Sequence, residues 1–436
     1  MKITNSVAIF IVGLLFNRIY GAQTADTLSE VGTWQGFRSG AVSFTFDDNT
    51  PNQISVALPM FDQHGFKMTF FPVINWGPNW TALRAAALNG HEIGSHTVSH
   101  ANLSSLSNDQ QAVELRNSQD AINSHVQGQK CLTMAYPSGA LGNASICRQY
   151  YVAARGVSGV VVPKTPSDFM NISSIVCGNQ GSIQRTSDFT SKADVAASSN
   201  GWIVFLIHAI DNESGYSPTS STQLKGALDY LSQNKGRFWV STFSNIARYI
   251  KERNSVSVNQ ISVKDTIITL AVTDTLNNSI YNYPLTIRRI LPQGWFSAKV
   301  TQNGKILNSQ IVNANSKIYI MFDVVPDSGD IQLIKQEATG VSGHFGPKIL
   351  SPFLMQNYPN PFNPATMIHY QISENSFVIL KIYDILGREV KTLINKQLSP
   401  GEYFIKFDGS HLSGGLYLCN LNTGNYTSTR KLILLR

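Results

Sequence analysis

The chain has 436 residues, too many for one ordinary domain, so two or three are expected. An apolar content of 42% with 14% charged residues suits a globular protein and excludes a disordered one. Its 34 Lys and Arg against 27 acidic residues leave a formal charge of +7, yet no basic cluster concentrates that charge, and nucleic acid is excluded as a partner.

At the N-terminus, Lys2, the apolar run Val7 to Phe16 and the small residues Gly21 and Ala22 predict a signal peptide over 1–22. An apolar core of ten residues is short for a membrane anchor, and no later segment is apolar enough to span a bilayer. The expectation is an exported, soluble protein. Next comes Val42-Ser43-Phe44-Thr45-Phe46-Asp47-Asp48, which alternates apolar with small or polar residues and reads as a buried strand. It ends in two adjacent carboxylates. Asp suits a strand poorly, and like charges side by side repel. The pair therefore suggests one carboxylate neutralised by a cation and the other kept as a base. The plainer reading is a turn before Pro51.

From Gly36 to about Lys251, short apolar runs alternate with helix-like stretches. Strands are expected at Met68–Val73, Leu132–Ala135, Trp202–Ile207 and Arg237–Thr242. Helices are expected at Thr81–Leu88, from Ser107 with Gln110 at capping-box spacing, at Ser221–Gln233 and at Asn245–Arg253. Such alternation implies a parallel sheet, open or closed into a barrel. Residues 256–336 lose helical periodicity, and β-type runs at Ile261–Val263, Ile267–Val272, Ile318–Phe322 and Ile331–Ile334 suggest a small β-sandwich. Its expected role is packing against the first domain, with polysaccharide binding as the alternative. A Gly-, Ser- and Pro-rich linker is expected over 337–356, and a second β-module over 357–436. Export permits disulfides, and a pair among Cys131, Cys147 and Cys177 is expected; Cys419 stands apart.

Three further pieces bear on chemistry. His96 and His100 lie four apart, and on a helical turn both imidazoles would reach one cation. A carboxylate with two imidazoles leaves open positions on a divalent ion, as hydrolysis needs. His208 follows the strand Trp202–Ile207, where catalytic residues sit in parallel α/β barrels. The turn Met134-Ala135-Tyr136-Pro137-Ser138-Gly139 could offer backbone N–H groups to an anion. His64, His91 and His125 read as structural.

In this order, from Gly40 to Arg253, the pieces resemble the polysaccharide deacetylase (NodB-homology) family of carbohydrate esterases. The resemblance implies a distorted (β/α) barrel with fewer than eight strands, here followed by two small all-β modules. It implies Asp47 as general base, and Asp48, His96 and His100 as ligands of Zn2+ or another divalent metal such as Co2+. It further implies His208 as general acid, Leu206 lining the acetyl pocket, and the Ser138 N–H at the oxyanion. The expected reaction is removal of acetyl groups from a polysaccharide, an N-acetylglucosamine polymer ahead of acetylated xylan. The alternative is a surface carbohydrate-binding protein whose barrel has lost turnover. Many family members have an arginine where this chain has Ala135, so Arg155 or Arg185 is expected to orient the base instead. The family's fourth motif, usually marked by Asp and Trp, has no clear counterpart here.

The final module, through Tyr358-Pro359-Asn360-Pro361-Phe362-Asn363-Pro364, Ile382 to Val390, Ser413 to Tyr417 and Lys431 to Arg436, resembles the C-terminal sorting domain of bacterial type IX secretion. That resemblance implies an outer-membrane secretion machinery as partner and a secreted or cell-surface location.

Overall fold

The computed structural model describes residues 24–314, 317–336 and 352–435. The expected signal peptide over 1–22, and 337–351 of the expected linker, lie outside the described residues. Among the described residues no helix is long and apolar enough to cross a membrane.

Two short strands come first, β1 (Thr24–Ala25) and β2 (Ser29–Val31). The α/β region then begins β3 (Gly40–Asp47), α1 (Leu58–His64), β4 (Thr69–Phe71), α2 (Trp80–Leu88), β5 (Glu92–Ile93) and α3 (Asn108–His125). It continues β6 (Thr133–Ala135), α4 (Ala144–Tyr150), β7 (Ala153–Arg155), β8 (Ile175–Val176), α5 (Thr186–Ser198) and β9 (Trp202–Ile207). It ends with α6 (Ser221–Gln233), β10 (Phe238–Val240) and α7 (Phe243–Ser255). Strands β5, β4, β3, β9 and β8 are parallel neighbours, and β6 pairs with β7. Parallel bridges Ser95–Met134 and Arg155–Ile172 join the two groups. The strands thereby close into the expected distorted α/β barrel, with β10 paired to the first half of β3.

The two-residue period of a strand decides what faces the mouth. On β3, Val42, Phe44 and Phe46 join Phe61, Phe189 and Leu224 in the layer between sheet and helices. The alternate positions Ala41, Ser43, Thr45 and Asp47 turn inward, and all eight β3 residues are buried. Small inward side chains leave room and satisfy their own hydroxyls: Ser43 Oγ donates to Ser241 O (3.0 Å) and Thr45 Oγ1 to Phe205 O (2.9 Å). The opposite end of the barrel is plugged by α7, whose Phe243, Ile246 and Ile250 continue the interior apolar cluster.

The β-module comprises β11 (Ser257–Lys264), β12 (Ile267–Thr273), β13 (Leu285–Ile290), β14 (Ala298–Gln302), β15 (Lys305–Leu307), β16 (Ser309–Ala314), β17 (Lys317–Val324) and β18 (Ile331–Lys335). Two sheets enclose one apolar core. The division of the chain differs from the expected one. Strand β1 pairs with β11 and β2 with β13, so residues 24–31 complete the module that follows the barrel, and a buried Arg289–Asp26 ion pair (2.8 Å) ties them in. The last module holds β19 (Phe353–Leu354), β20 (Ala365–Ile372), β21 (Ser376–Asp384), β22 (Glu389–Leu398), β23 (Gly401–Asp408), β24 (Gly415–Asn422) and β25 (Thr427–Leu434). Its two sheets share a separate core, and β19 sets its start four residues before the expected 357.

The expected disulfide is absent: all four cysteines are free and buried. Their sulfurs have separate partners, Cys131 Sγ donating to Thr133 O, Cys177 Sγ to Ile175 O, and Cys147 Sγ accepting from Tyr136 Oη.

Helix α7 is also the seam with the β-module. Tyr249 Oη donates to Gly32 O (2.8 Å), and Glu252 Oε1 accepts from Tyr283 N (2.9 Å). Glu252 is fully buried and its Oε2 has no hydrogen-bond partner among the described residues, and burial pushes its carboxyl from 4.5 up to about 7. A group whose folded pKa is raised adds stability at low pH and loses it as pH climbs through the folded value. Stability should therefore decline from about pH 4.5 through about pH 7. Glu252→Gln should remove that decline, melting several degrees above wild type at pH 8 and level with it at pH 5 by calorimetry; equal melting curves at pH 8 would refute the assignment.

Candidate active site

At the mouth of the barrel the backbone turns sharply after β3. Asp48 (φ 74°) and Asn49 (φ 54°) are both left-handed, a conformation that Asp and Asn tolerate better than most residues. Asn49 locks the turn from both sides, its Oδ1 accepting from Val73 N (2.8 Å) and its Nδ2 donating to Val73 O (3.1 Å). The turn lets two consecutive carboxylates meet different partners.

Asp47 is buried, and its Oδ2 accepts a hydrogen bond from Arg155 Nη2. The same oxygen lies 3.5 Å from His96 Nε2 and 4.0 Å from His208 Nε2, while Oδ1 is buried with no hydrogen-bond partner among the described residues. Of the two arginines expected as substitutes, Arg155 reaches Asp47. Arg185 instead faces Asp188 at 3.6 Å on the surface. Ala135 and Arg155 are register partners on the parallel strands β6 and β7. An arginine on β7 can thus occupy the layer that the small side chain on β6 leaves open. Arg155 Nη1 donates to Ser174 Oγ (3.1 Å).

Asp48 Oδ1 lies 3.6 Å from both His96 Nε2 and His100 Nε2, buried and without a hydrogen-bond partner among the described residues. The ligand atoms of Asp48, His96 and His100 all fall within 4.8 Å of one another. Ligands held about 2.0–2.1 Å from a tetrahedral ion stand roughly 3.4 Å apart, so this spacing fits a shared divalent ion. His96 Nδ1 donates to Ala135 O (2.9 Å), which leaves its Nε2 lone pair facing the other two groups. Burial drops His96 to about 3 and His208 to about 4, so both imidazoles are neutral at neutral pH. Burial first, then the neighbouring Asp47, raises the Asp48 carboxyl above its ordinary value.

The expected helical turn between the histidines is not formed. Residues 94–100 are irregular, with Thr97 (φ 65°) and His100 (φ 60°) left-handed. The rings nevertheless meet edge to face at 4.9 Å. What holds this loop is Glu114 on α3, a residue that no spacing in the sequence marks. Its Oε2 accepts from Val98 N (2.8 Å) and Ser99 N (3.1 Å), and its Oε1 from Ser99 Oγ (2.7 Å).

His208 follows β9, and its Nε2 is 4.0 Å from Asp48 Oδ2. Its Nδ1 is buried with no partner among the described residues. Leu206 is buried on the inward-facing side of β9, in register with Thr45. Ser138 (φ 54°) stands exposed in the tight turn Pro137–Gly139 after β6. His64 and His91 bond Asp229 and Asp62, and His125 stacks on Trp80, all away from the mouth.

Residues 35–154 match the polysaccharide deacetylase family. Residues 356–435 match the secretion system C-terminal sorting domain. The resemblances expected from the motifs are thus borne out at family level, although Arg155, Leu206 and His208 lie beyond the first match. A gellan lyase of a Bacillus species is 29% identical over 334 residues, covering 71% of this chain and 13% of its own length. A chitin deacetylase of Arthroderma benhamiae is 31% identical over 103 residues, covering 23% of this chain and 28% of its own length. This chain therefore spans only a minor part of both relatives. Among solved structures, a putative polysaccharide deacetylase from Mycobacterium smegmatis aligns with a TM-score of 0.41 at 17% identity, over 51% of this chain and 94% of that one.

Because Glu114 shapes the loop that presents His100, truncating it should loosen any ion held there. Partners outside the coordination shell typically change metal affinity about 10–100-fold. Glu114→Ala should weaken zinc or cobalt binding by that range in a chelator-competition titration, with Glu114→Gln in between. Undiminished affinity in the folded Ala variant would refute this role.

Proposed function

We propose that the protein is an exported, metal-dependent deacetylase acting on an acetylated polysaccharide, an N-acetylglucosamine polymer ahead of acetylated xylan. The observation that carries this reading is the division of labour in Asp47-Asp48. One carboxylate faces two imidazoles, and the other is held by Arg155 beside them. Asp48, His96 and His100 would hold Zn2+ or Co2+, which when bound acidifies water and polarises the acetyl carbonyl.

The chain's own residues then have separable tasks. Arg155 occupies Asp47 Oδ2, so Oδ1, buried and unpartnered, is the atom left to accept the proton of the attacking water. His208 presents Nε2 to the same space. Its ring, neutral at rest, must first take up a proton before it can deliver one to the departing nitrogen or oxygen. Leu206 lines the wall that receives the acetyl methyl, and the Ser138 N–H serves the developing oxyanion. Arg155 in place of the missing arginine removes the main motive for the alternative of a binding protein without turnover. The sorting domain implies a secreted or cell-surface protein, with the outer-membrane secretion machinery as partner.

The direct test measures acetate released from chitooligosaccharides and acetylated xylan before and after chelation. Asp47→Asn should lower the rate about 10²–10⁴-fold with metal content intact, and His96→Ala should lose the metal. Glycan binding without acetate release by the metal-loaded protein would sink the enzyme reading. Deleting residues 357–436 should leave the protein short of the outer surface, as read by cell fractionation; unchanged export would refute the address.

A further inference from the structure

The pairing of β3 with β9 ends at Phe46 and Ile207, one residue short of both proton-transfer groups. Asp47 and His208 are the next positions on the two chains. By the two-residue period each continues the inward layer of Thr45 and Leu206. Their side chains come within 4.0 Å, Asp47 Oδ2 to His208 Nε2. Two chain segments that no longer pair with each other thus carry the acid and the base.

One buried side chain joins them again. Gln53 opens the wide π-helical turn Gln53–Ala57, shortly after the left-handed residues Asp48 and Asn49. Its Nε2 carries two N–H groups and directs one to each segment, donating to Asp47 O and to His208 O (3.0 Å). The amide supplies the rung that the ladder lacks. Its neighbours tie the same segments. Thr50 Oγ1 donates to His208 O (3.2 Å) and Asn52 Nδ2 to Ile210 O (3.1 Å). Glu213 closes the clasp, its two carboxylate oxygens accepting from Asn52 N and Ile210 N (both 2.8 Å). Buried carbonyls need donors, and separate donors would satisfy them equally well. A single amide that spans both carbonyls does more, because it fixes one segment against the other.

We propose that Gln53 is a positioning residue that sets where His208 stands relative to Asp47. This rests on the deacetylase reading and deepens it, since the two groups act on one acetyl centre from different strands. Gln53 works through two backbone carbonyls and takes no part in the proton transfers. Misplacing a reacting group by about 1 Å can cost about 10²-fold in rate. The imidazole ligands His96 and His100 lie on another loop, so the loss falls on turnover rather than on metal or glycan binding.

The test compares full-length, metal-loaded wild type with three variants. Gln53→Met fills the same space without an N–H, and Gln53→Asn keeps an amide that is one methylene shorter. Thr50→Val removes one donor from His208 O and none from Asp47 O. Acetate release from chitooligosaccharides and acetylated xylan gives kcat and KM, and chelator competition gives zinc affinity. Gln53→Met should lower kcat about 10–100-fold with KM and zinc affinity unchanged. Gln53→Asn should fall between it and wild type, and Thr50→Val should lose less than Gln53→Met. Crystal structures should show a longer Asp47 Oδ2 to His208 Nε2 distance in Gln53→Met than in wild type. Unchanged kcat in the folded Met variant would overturn the proposal. So would a loss that tracks zinc affinity or melting temperature, or an unmoved pair in the crystal. Should Gln53→Met not fold, the same outcomes are read from Gln53→Asn. A wild-type protein that releases no acetate would refute the deacetylase reading, and the crystallographic distances alone would then judge the clasp.

Discussion

The buried pair between Asp47 and Arg155 is the contact on which the mouth of this barrel depends. Two consecutive carboxylates at a strand end repel each other. One guanidinium, itself almost completely buried, pairs with Asp47 and offsets that repulsion. Buried ion pairs add little net stability, because desolvation offsets most of their attraction. Their use here is positional. With Oδ2 occupied, Asp47 has a defined free oxygen, and the left-handed turn carries Asp48 away toward the imidazoles.

The same pair links the placement of the Asp47 carboxylate to barrel closure. Arg155 ends β7 and also forms the bridge to Ile172 that joins β7 to the strands beyond it. Its side chain reaches Asp47 in the layer where its register partner on β6 is only alanine. A bulky residue at 135 would compete for that space. An arginine on β6 and an arginine on β7 are thus alternative fillings of one inward layer.

Much of this was legible in the chain. The strand Trp202–Ile207 and the helix Ser221–Gln233 were readable to the residue, because each has an unbroken apolar pattern and clear stops. The Ser107–Gln110 capping box marked the start of α3. Strands β5 and β8, two residues each, are too short for any periodicity to register. The choice of Arg155 over Arg185 needed the register of β6 against β7, which is a property of the closed ring. The helical turn drawn through His96 and His100 was the wrong local geometry for the right convergence. Spacing of four suits a helix, but two left-handed residues clamped by Glu114 bring the rings together by another path. The residues that hold the site, Glu114 and Asn49, act through backbone atoms distant in sequence, and no local pattern announces them.

The strands that precede the barrel have a consequence for how the chain reaches its native state. Residue 24 pairs with 260 and residue 31 with 287, so the whole barrel is threaded between two halves of one sandwich. Contacts so far apart close late and slowly, since the entropy of the intervening loop must be overcome before they form. A barrel that folds first turns that long loop into a compact body whose ends already lie near each other, and shortens the search. A cut at residue 255 would yield no clean pair of domains, because the first fragment would keep two strands that belong to the second.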